Sequence, residues 1–305
     1  MKKTMIRIAL AAAALAGGMC RANWREDMWT RPVALREGMS VKALALEEPR
    51  LMKAYIARVD LSTPGIGFTA TDRAENWGET MPDYTNRTVL IDTKRETTAA
   101  FMARRRAQGL DVELAVNTAP WGPWVPPFTH TYGSFRGWNV SGGVELSHGK
   151  NPERGAFIVV RKDGRVDATP RVPVAETNSV AIAMCGFGMI MTNGVPTFSA
   201  VHPRPAQLAP RTALGVTADR KTLVVLVVDG RQPGYSLGAD IEDLYNILRK
   251  EGVTDAVNMD GGGSSSLVVY DRAAGRPLMI NHQPRGTERK NALNFGIFFA
   301  PDLQK

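Results

Sequence analysis

The stretch Asn258-Met259-Asp260-Gly261-Gly262-Gly263-Ser264-Ser265-Ser266 lies between a short apolar run at residues 254–257 and the strand-like Leu267-Val268-Val269-Tyr270. Three consecutive glycines between two extended segments are poor core material, because each loses more backbone entropy on folding than any other residue. Their use is close approach: without Cβ atoms, a loop lets a ligand reach the main chain and lets several N–H groups converge on an anion. Asp260 adds a carboxylate, and Ser264 and Ser265 add neutral donors. A polar hairpin turn is the bland alternative, and the surrounding chain decides between the two.

Immediately upstream, residues 240–251 read as a helix. Ile241, Leu244, Tyr245 and Leu248 share one face, Asp240 is placed to cap the start and Gly252 to end it. Residues 222–228 are apolar on both faces, which predicts a strand in the middle of a sheet. They end at Asp229-Gly230-Arg231, and residues 211–216 form the preceding strand. Further out, residues 156–160 and 165–167 face each other across Lys162-Asp163-Gly164, and residues 181–192 turn at Asn193-Gly194 into Val195. Residues 112–116 make a strand that runs into Asn117-Thr118-Ala119-Pro120-Trp121-Gly122-Pro123-Trp124. There the two indoles form either a rigid wall suited to the apolar face of a sugar ring or a buried loop. Residues 97–108 read as a second helix, its Arg104-Arg105-Arg106 end suiting the helix dipole. Strands are expected at residues 54–61, 68–71 and 295–299, an irregular lead-in at 24–31, and a long loop at 129–150. The expected fold class is α+β: a strand-rich, mixed and antiparallel sheet core with two principal helices, preceded by a small strand-containing segment. The expected division is a signal peptide at 1–22, the strand-containing segment at 23–88 and the main domain at 89–305.

With 305 residues, 44% of them hydrophobic, core size is not limiting. Lys2, Lys3 and Arg7 precede an apolar run at residues 8–15 that ends in Ala16-Gly17-Gly18, the layout of a secretory signal and too short to span a bilayer. Export to the periplasm or medium is expected, with cleavage after Ala22 or Gly18. The residues before Cys20 do not suit lipidation. Cleavage after Ala22 removes Lys2, Lys3, Arg7 and Arg21 and no acid, which halves the formal charge of +8. No basic run alternates with aromatics, so a nucleic-acid partner is not expected. The mature chain would keep only Cys185, so no internal disulfide is expected.

Chemistry-bearing residues concentrate near the strand ends, where a rigid scaffold presents reactive groups. Asp229, Asp260 and Glu288 are the carboxylates in such settings, and Arg211, Arg231 and Arg289 are the cations, suited to bidentate phosphate or carboxylate recognition. His130, His148, His202 and His282 show no metal-ligand spacing. Gly234-Tyr235-Ser236-Leu237-Gly238 fits the G-x-S-x-G pattern of serine hydrolases, with His282 available as base. However, residues 229–233 separate the serine from its strand, where a nucleophile elbow needs a sharp turn.

In order, Arg211-Thr212-Ala213-Leu214-Gly215, Asp229-Gly230-Arg231 with Gly234-Tyr235-Ser236, Asn258 to Ser265, and Asn281 with Glu288-Arg289 resemble the motifs of the phosphodiester glycosidase family. The resemblance spans roughly residues 90–300, with Asn117 matching an upstream motif. Met259 stands where Leu is usual, and Thr118-Ala119-Pro120-Trp121 replaces an Asn-Gly-Asp-Phe type of sequence, a difference that bears on substrate identity. The resemblance implies a hydrolase that cleaves a sugar C1–O–phosphate bond and releases free sugar and a phosphomonoester. On that reading Asp260 is base or nucleophile, with Glu288 the other candidate. Arg211 and Arg289 hold the phosphate, with Thr212 and Arg231 beside them, and Gly261, Gly262, Gly263, Ser264 and Ser265 complete the anion site. Asn117 and Asp229 bind sugar hydroxyls. No cofactor is required, although Asp229 and Asp260 could share a divalent cation. A serine hydrolase using Ser236 and a non-catalytic exported glycan-binding protein are the competing classes.

Overall fold

The computed structural model describes residues 23–302 apart from 83, 85–87, 125–129 and 198–206. The expected signal segment, with its two cleavage points, and His202 therefore lie outside the described residues. Two sheets carry the architecture. The larger has eight antiparallel strands in the spatial order Val33–Arg36, Met39–Leu46, Met52–Asp60, Thr222–Val228, Arg211–Thr217, Val253–Asn258, Gly188–Thr192 and Val195–Pro196. A five-stranded sheet sets Arg276–Met279, Leu267–Asp271, Val112–Asn117, Asn294–Phe299 and Ile66–Ala70 side by side. A second five-stranded sheet, centred on Val180–Cys185 and Phe157–Arg161, and a small three-stranded one complete the strands.

The fold is α+β and mostly β. Thr222–Val228 is an interior strand, as its two-sided apolar run requires: Val224, Leu226 and Val228 face one layer and Leu223, Val225 and Val227 the other. The inner layer joins the sheets, with Tyr55, Val225 and Val257 of the large sheet in one cluster with Leu114, Val116, Phe295 and Ile297. The outer face of the large sheet is covered by the helix Ile241–Lys250, whose Leu244, Ile247 and Leu248 pack on Ile56, Val224 and Ala256. Each such buried aliphatic side chain contributes about 1.5–3 kcal/mol relative to exposure. Asp240 and Asp243 form a reciprocal capping box at its start. The helix Thr98–Ala107 covers the other side, setting Phe101 and Met102 on Val112, Ala115 and Val268.

Three expectations need correction. Residues 181–192 are two strands in different sheets, broken at Gly186, where a Cβ would stand 2.4 Å from Val257 Cγ1 and 2.5 Å from the Asn258 carbonyl oxygen. The crossing is that tight. The expected loop at 129–150 contains the short strands Tyr132–Phe135, Val140–Ser141 and Val144–Glu145, and the lead-in contains a one-turn helix at Trp24–Asp27. After that helix, Met39–Leu46 pairs along Met52–Asp60, which in turn pairs with Thr222–Val228.

Candidate active site

Val253–Asn258 ends at the glycine loop, and the loop is held open from below by one buried amide. Asn117, at the end of its own strand, donates from Nδ2 to the Asp260 carbonyl at 2.7 Å. Its Oδ1 accepts from Thr212 Oγ1 at 2.9 Å and from the Ser266 N–H at 3.0 Å. Asp260 N–H donates to the Thr118 carbonyl at 2.8 Å, and Met259 N–H to that of Thr212 at 2.9 Å. A second amide repeats the device, with Asn281 accepting from Leu267 N–H and donating to Asp229 Oδ1 and the Ser265 carbonyl. Asn117, Thr212 and Asn281 are all buried and satisfied, so they build the loop's platform.

On that platform several polar atoms are left without partners. Asp260 is 4% exposed; its Oδ1 accepts from Gly261 N–H at 3.0 Å, while Oδ2 has no hydrogen-bond partner among the described residues. The Ser265 hydroxyl is likewise buried and unpartnered among the described residues, and the buried Ser264 hydroxyl lies beside the Asp260 carboxylate. Each buried group left without a partner costs about 1–3 kcal/mol, so the loop is locally destabilising as it stands. Burial pushes the Asp260 carboxyl up to about 6, against the opposing influence of neighbouring Ser264 and of the Arg289 and Arg136 charges.

Glycine explains how the arginines arrive. A Cβ on Gly263 would stand 2.5 Å from Arg289 Nη2, and one on Gly262 would stand 3.2 Å from Arg231 Nη1, so two guanidiniums rest on consecutive bare positions of the loop. Gly262 itself has φ +63°, a left-handed conformation natural to glycine. Gly261 is bare for a different reason, since its Cβ would meet the Pro210 carbonyl oxygen at 2.8 Å. Arg289 also lies over the Trp124 ring, 5.0 Å from its centroid, and Trp124 stacks on Trp121 at 4.9 Å with Arg95 beyond it at 4.4 Å. Trp121 is buried and Trp124 is 37% exposed, so one indole anchors the wall and the other presents it. Desolvation pulls the Arg289 guanidinium down from its ordinary value, Asp260 opposes that, and Arg285 and Arg231 add to it.

Other expected site residues sit elsewhere in the network. Asp229 is enclosed: its carboxylate accepts from Asn281 Nδ2 at 3.0 Å, His282 N–H at 3.0 Å and Tyr235 Oη at 3.3 Å. Burial pushes its carboxyl up. It organises the floor and leaves little to offer a sugar hydroxyl. Glu288 points at the start of the Thr98–Ala107 helix, where it accepts from Ala99 N–H at 3.0 Å, a favourable site for a carboxylate. Burial pushes it up too. The Arg211 guanidinium donates to the carbonyls of Ala239 at 3.1 Å and Gln207 at 2.7 Å, so the cation against the loop beside Arg289 is Arg231. Ser236 does not suit a nucleophile: its buried hydroxyl donates to the Asp229 carbonyl at 2.6 Å and accepts from Lys53 N–H at 3.0 Å, while His282 Nδ1 contacts Gln232 Oε1 at 2.7 Å. Among the described residues no group of three or more His, Cys, Asp or Glu is arranged to hold a metal ion.

Sequence reading missed Arg136, Arg285, Gln283 and Asp92. Gln283 accepts from the Arg289 N–H at 3.1 Å and donates to the Ser265 carbonyl at 3.1 Å, tying cation to loop. Asp92, 1% exposed, accepts from Phe135 N–H at 2.6 Å, next to Arg136, and contacts His148 Nδ1 at 2.7 Å. The only signal for Arg136 was its place in Phe135-Arg136-Gly137-Trp138, within the segment expected to be loop.

A buried carboxylate, a glycine loop with buried hydroxyls and flanking guanidiniums therefore meet at one place. Residues 126–299 match the phosphodiester glycosidase family, and the chain belongs to it. No curated protein matches the chain. Among solved structures, the catalytic domain of zebrafish N-acetylglucosamine-1-phosphodiester alpha-N-acetylglucosaminidase, auto-inhibited by its pro-peptide, superposes with a TM-score of 0.59 at 17% identity, over 86% of this chain and 83% of that one. A hypothetical protein from Synechocystis gives a TM-score of 0.57 at 12% identity over 88% of this chain, which spans 64% of that protein's length. At these identities the likeness is one of fold.

Proposed function

We propose that the protein is an exported hydrolase that cleaves the glycosidic bond of a sugar phosphodiester, with Asp260 at the reacting carbon. Membership of the phosphodiester glycosidase family supports the reaction class. The observation that carries the residue assignment is the Asp260 carboxylate itself, buried, with Oδ2 unpartnered and with guanidiniums on the adjoining glycines. Water adds its hydroxyl to C1, the C1–O bond breaks with its electron pair going to the phosphate oxygen, and the water proton leaves through the carboxylate. The products are free sugar and a phosphomonoester.

A phosphomonoester is a competent leaving group once its charge is matched, so the task falls to electrostatic stabilisation more than to a strong general acid. Arg289 and Arg231 supply it, with loop N–H groups and the Ser264 and Ser265 hydroxyls. Asp260 then acts as base toward water or as nucleophile at C1, and Trp124 provides the flat face for the sugar. Asn117, Thr212, Asp229 and Arg211 hold the loop and its neighbours in place. Glu288 steadies the helix beside Arg289. No described helix is long and apolar enough to cross a membrane. Export rests on the secretory layout of residues 1–22, and N-terminal sequencing of protein recovered outside the cytoplasm tests it.

The test of function is a product assay on a panel of sugar phosphodiesters, run beside Asp260→Asn. Free sugar and phosphomonoester in equal amounts, with the variant folded and inactive, is the expected result. Full turnover by a folded Asp260→Asn protein removes Asp260 from the chemistry. Tight sugar binding with no product from any member of the panel favours a glycan-binding protein instead.

A further inference from the structure

Two residues that face each other across the large sheet stand out from others of their kind. Six asparagines are buried among the described residues, and five of them use their amides: Asn117, Asn139, Asn281, Asn291 and Asn294 each bond through the side chain to a carbonyl, an N–H or a hydroxyl. Asn258, 9% exposed, bonds through neither end of its amide among the described residues, and its Oδ1 is buried without a partner. The glycines divide in a similar way. At Gly186 a neighbour excludes a Cβ, while at Gly109, Gly194 and Gly275 there is open space but the backbone is left-handed. Gly188 is the one described glycine outside the left-handed region at which a Cβ would meet nothing within 4 Å.

Gly188 and Asn258 are partners in register, with Ala213 on the other side of Asn258. Residues directly opposite each other project to the same face of a sheet, so the unused amide lies between a methyl group and an empty position. Val257 and Met259 belong to the core between the sheets, and alternation turns Asn258 away from it. The strand end is open to solvent here: Gly188 is half-buried, and Phe187, whose N–H donates to the Asn258 carbonyl at 2.8 Å, is 55% exposed. Asp260 follows two residues later, its Cα within about 7 Å of that of Asn258. The neighbouring Arg211 spends its guanidinium on the Ala239 and Gln207 carbonyls. What the position offers is therefore neutral, an amide donor and an amide acceptor, and a hydroxyl can meet both.

We propose that Asn258 and Gly188 form a notch that seats one ring hydroxyl of the sugar, the amide reading it by hydrogen bonding and the missing Cβ leaving room for it. The proposal rests on the phosphodiester glycosidase reading, which puts C1 at Asp260, and it makes Asn258 a specificity-determining residue at the reach of one sugar ring from the reacting carbon. A site built to bond a hydroxyl rejects a sugar that lacks it, because its own buried polar group is then left unpaired. The reaction is unchanged.

Phosphodiesters that share one alcohol and carry either the sugar turned over fastest or its monodeoxy forms test it with the mature chain. One deoxy position is expected to lower kcat/KM at least about 10-fold in the wild type. In Asn258→Leu the parent substrate should fall to about that level, and removing the same hydroxyl should then cost nothing. Gly188→Ala, which fills the notch, should lower kcat/KM for the parent in the same way. Neither change strands a bonded protein group, so the urea midpoint should hold or rise in both variants. A parent substrate turned over by both variants as by the wild type overturns the proposal. So do deoxy penalties that all survive in Asn258→Leu, and so does a midpoint that drops in Asn258→Leu, which makes the residue structural. A binding arm stands apart from turnover: by titration calorimetry, at least one of α-glucose, α-mannose and α-galactose 1-phosphate should bind the wild type at least ~10-fold more tightly than Asn258→Leu. Equal affinity throughout, or binding of none, overturns the sugar notch. Such a preference without turnover of any phosphodiester counts against the glycosidase reading and leaves the notch standing.

Discussion

Replacing Asp260 by Asn should make the protein more stable and inactive at once. Burial raises its carboxyl from 3.8 to about 6, so the folded state disfavours the charge that the unfolded chain carries freely. Below the unfolded value both states are protonated and no penalty exists. As pH rises from 4 to 6 the unfolded chain ionises first, the penalty grows, and above the folded value it is complete, at ~3 kcal/mol. Asn keeps an oxygen for the Gly261 N–H and carries no charge, so it escapes the penalty. The assay is urea unfolding of both proteins across pH 4 to 8. Subtracting one stability from the other cancels the remaining carboxylates, including Asp92, Asp229 and Glu288, which burial also pushes up. The difference should be near zero at pH 4 and favour Asn by up to ~3 kcal/mol at pH 8. In parallel, wild-type kcat/KM should fall tenfold per unit of pH below about 6, since base and nucleophile both require the ionised form. A difference that stays flat with pH, or an Asn protein less stable at pH 8, refutes the reasoning.

Three further outcomes are expected. Gly263→Ala should leave thermal unfolding nearly unchanged, because the displaced neighbour is the Arg289 side chain, while kcat/KM drops on the order of 100-fold as the guanidinium moves; unaltered kinetics would show that Arg289 need not sit there. Asn117→Ala strands the Thr212 hydroxyl, the Ser266 N–H and the Asp260 carbonyl, and should cost ~3 kcal/mol by denaturant titration together with loss of turnover. Ser236→Ala should lower stability by about 1–3 kcal/mol and keep turnover; an inactive but fully folded variant would restore the serine-hydrolase reading.

Much of the fold was written in local patterns. The two-sided apolar run at 222–228, the one-sided helix at 240–251 and the glycine loop could each be placed because backbone preference and burial agree there. Residues 33–46 carry a clean alternation that went unread: Val33, Leu35, Met39, Val41 and Ala43 are buried at alternate positions, with Arg36 and Lys42 on the outward side. The site was legible as a set of residue types and illegible as a set of roles. Asp229, Asp260 and Glu288 stand at strand ends or in glycine-containing turns, yet only folding decides that Asn281 and His282 enclose the first, that Ala99 takes the last and that no described residue takes Asp260 Oδ2. The arginines divide in the same way: Arg211 goes to Ala239 and Gln207, while Arg231 goes to the loop. Such choices depend on partners far away in the chain, and no local pattern encodes them.

The Asn117 clamp bears on how the protein matures. Its three partners, Thr212, Asp260 and Ser266, lie 95, 143 and 149 residues away, so these bonds close long loops and need both sheets already docked. Contacts of such separation form late, after the entropy of closure has been met by the core. In a refolding experiment, secondary structure and apolar burial should therefore recover before hydrolysis does. On the proposed function, the chain would collapse with its carboxylate unassembled, and competence would arrive as the last event of folding.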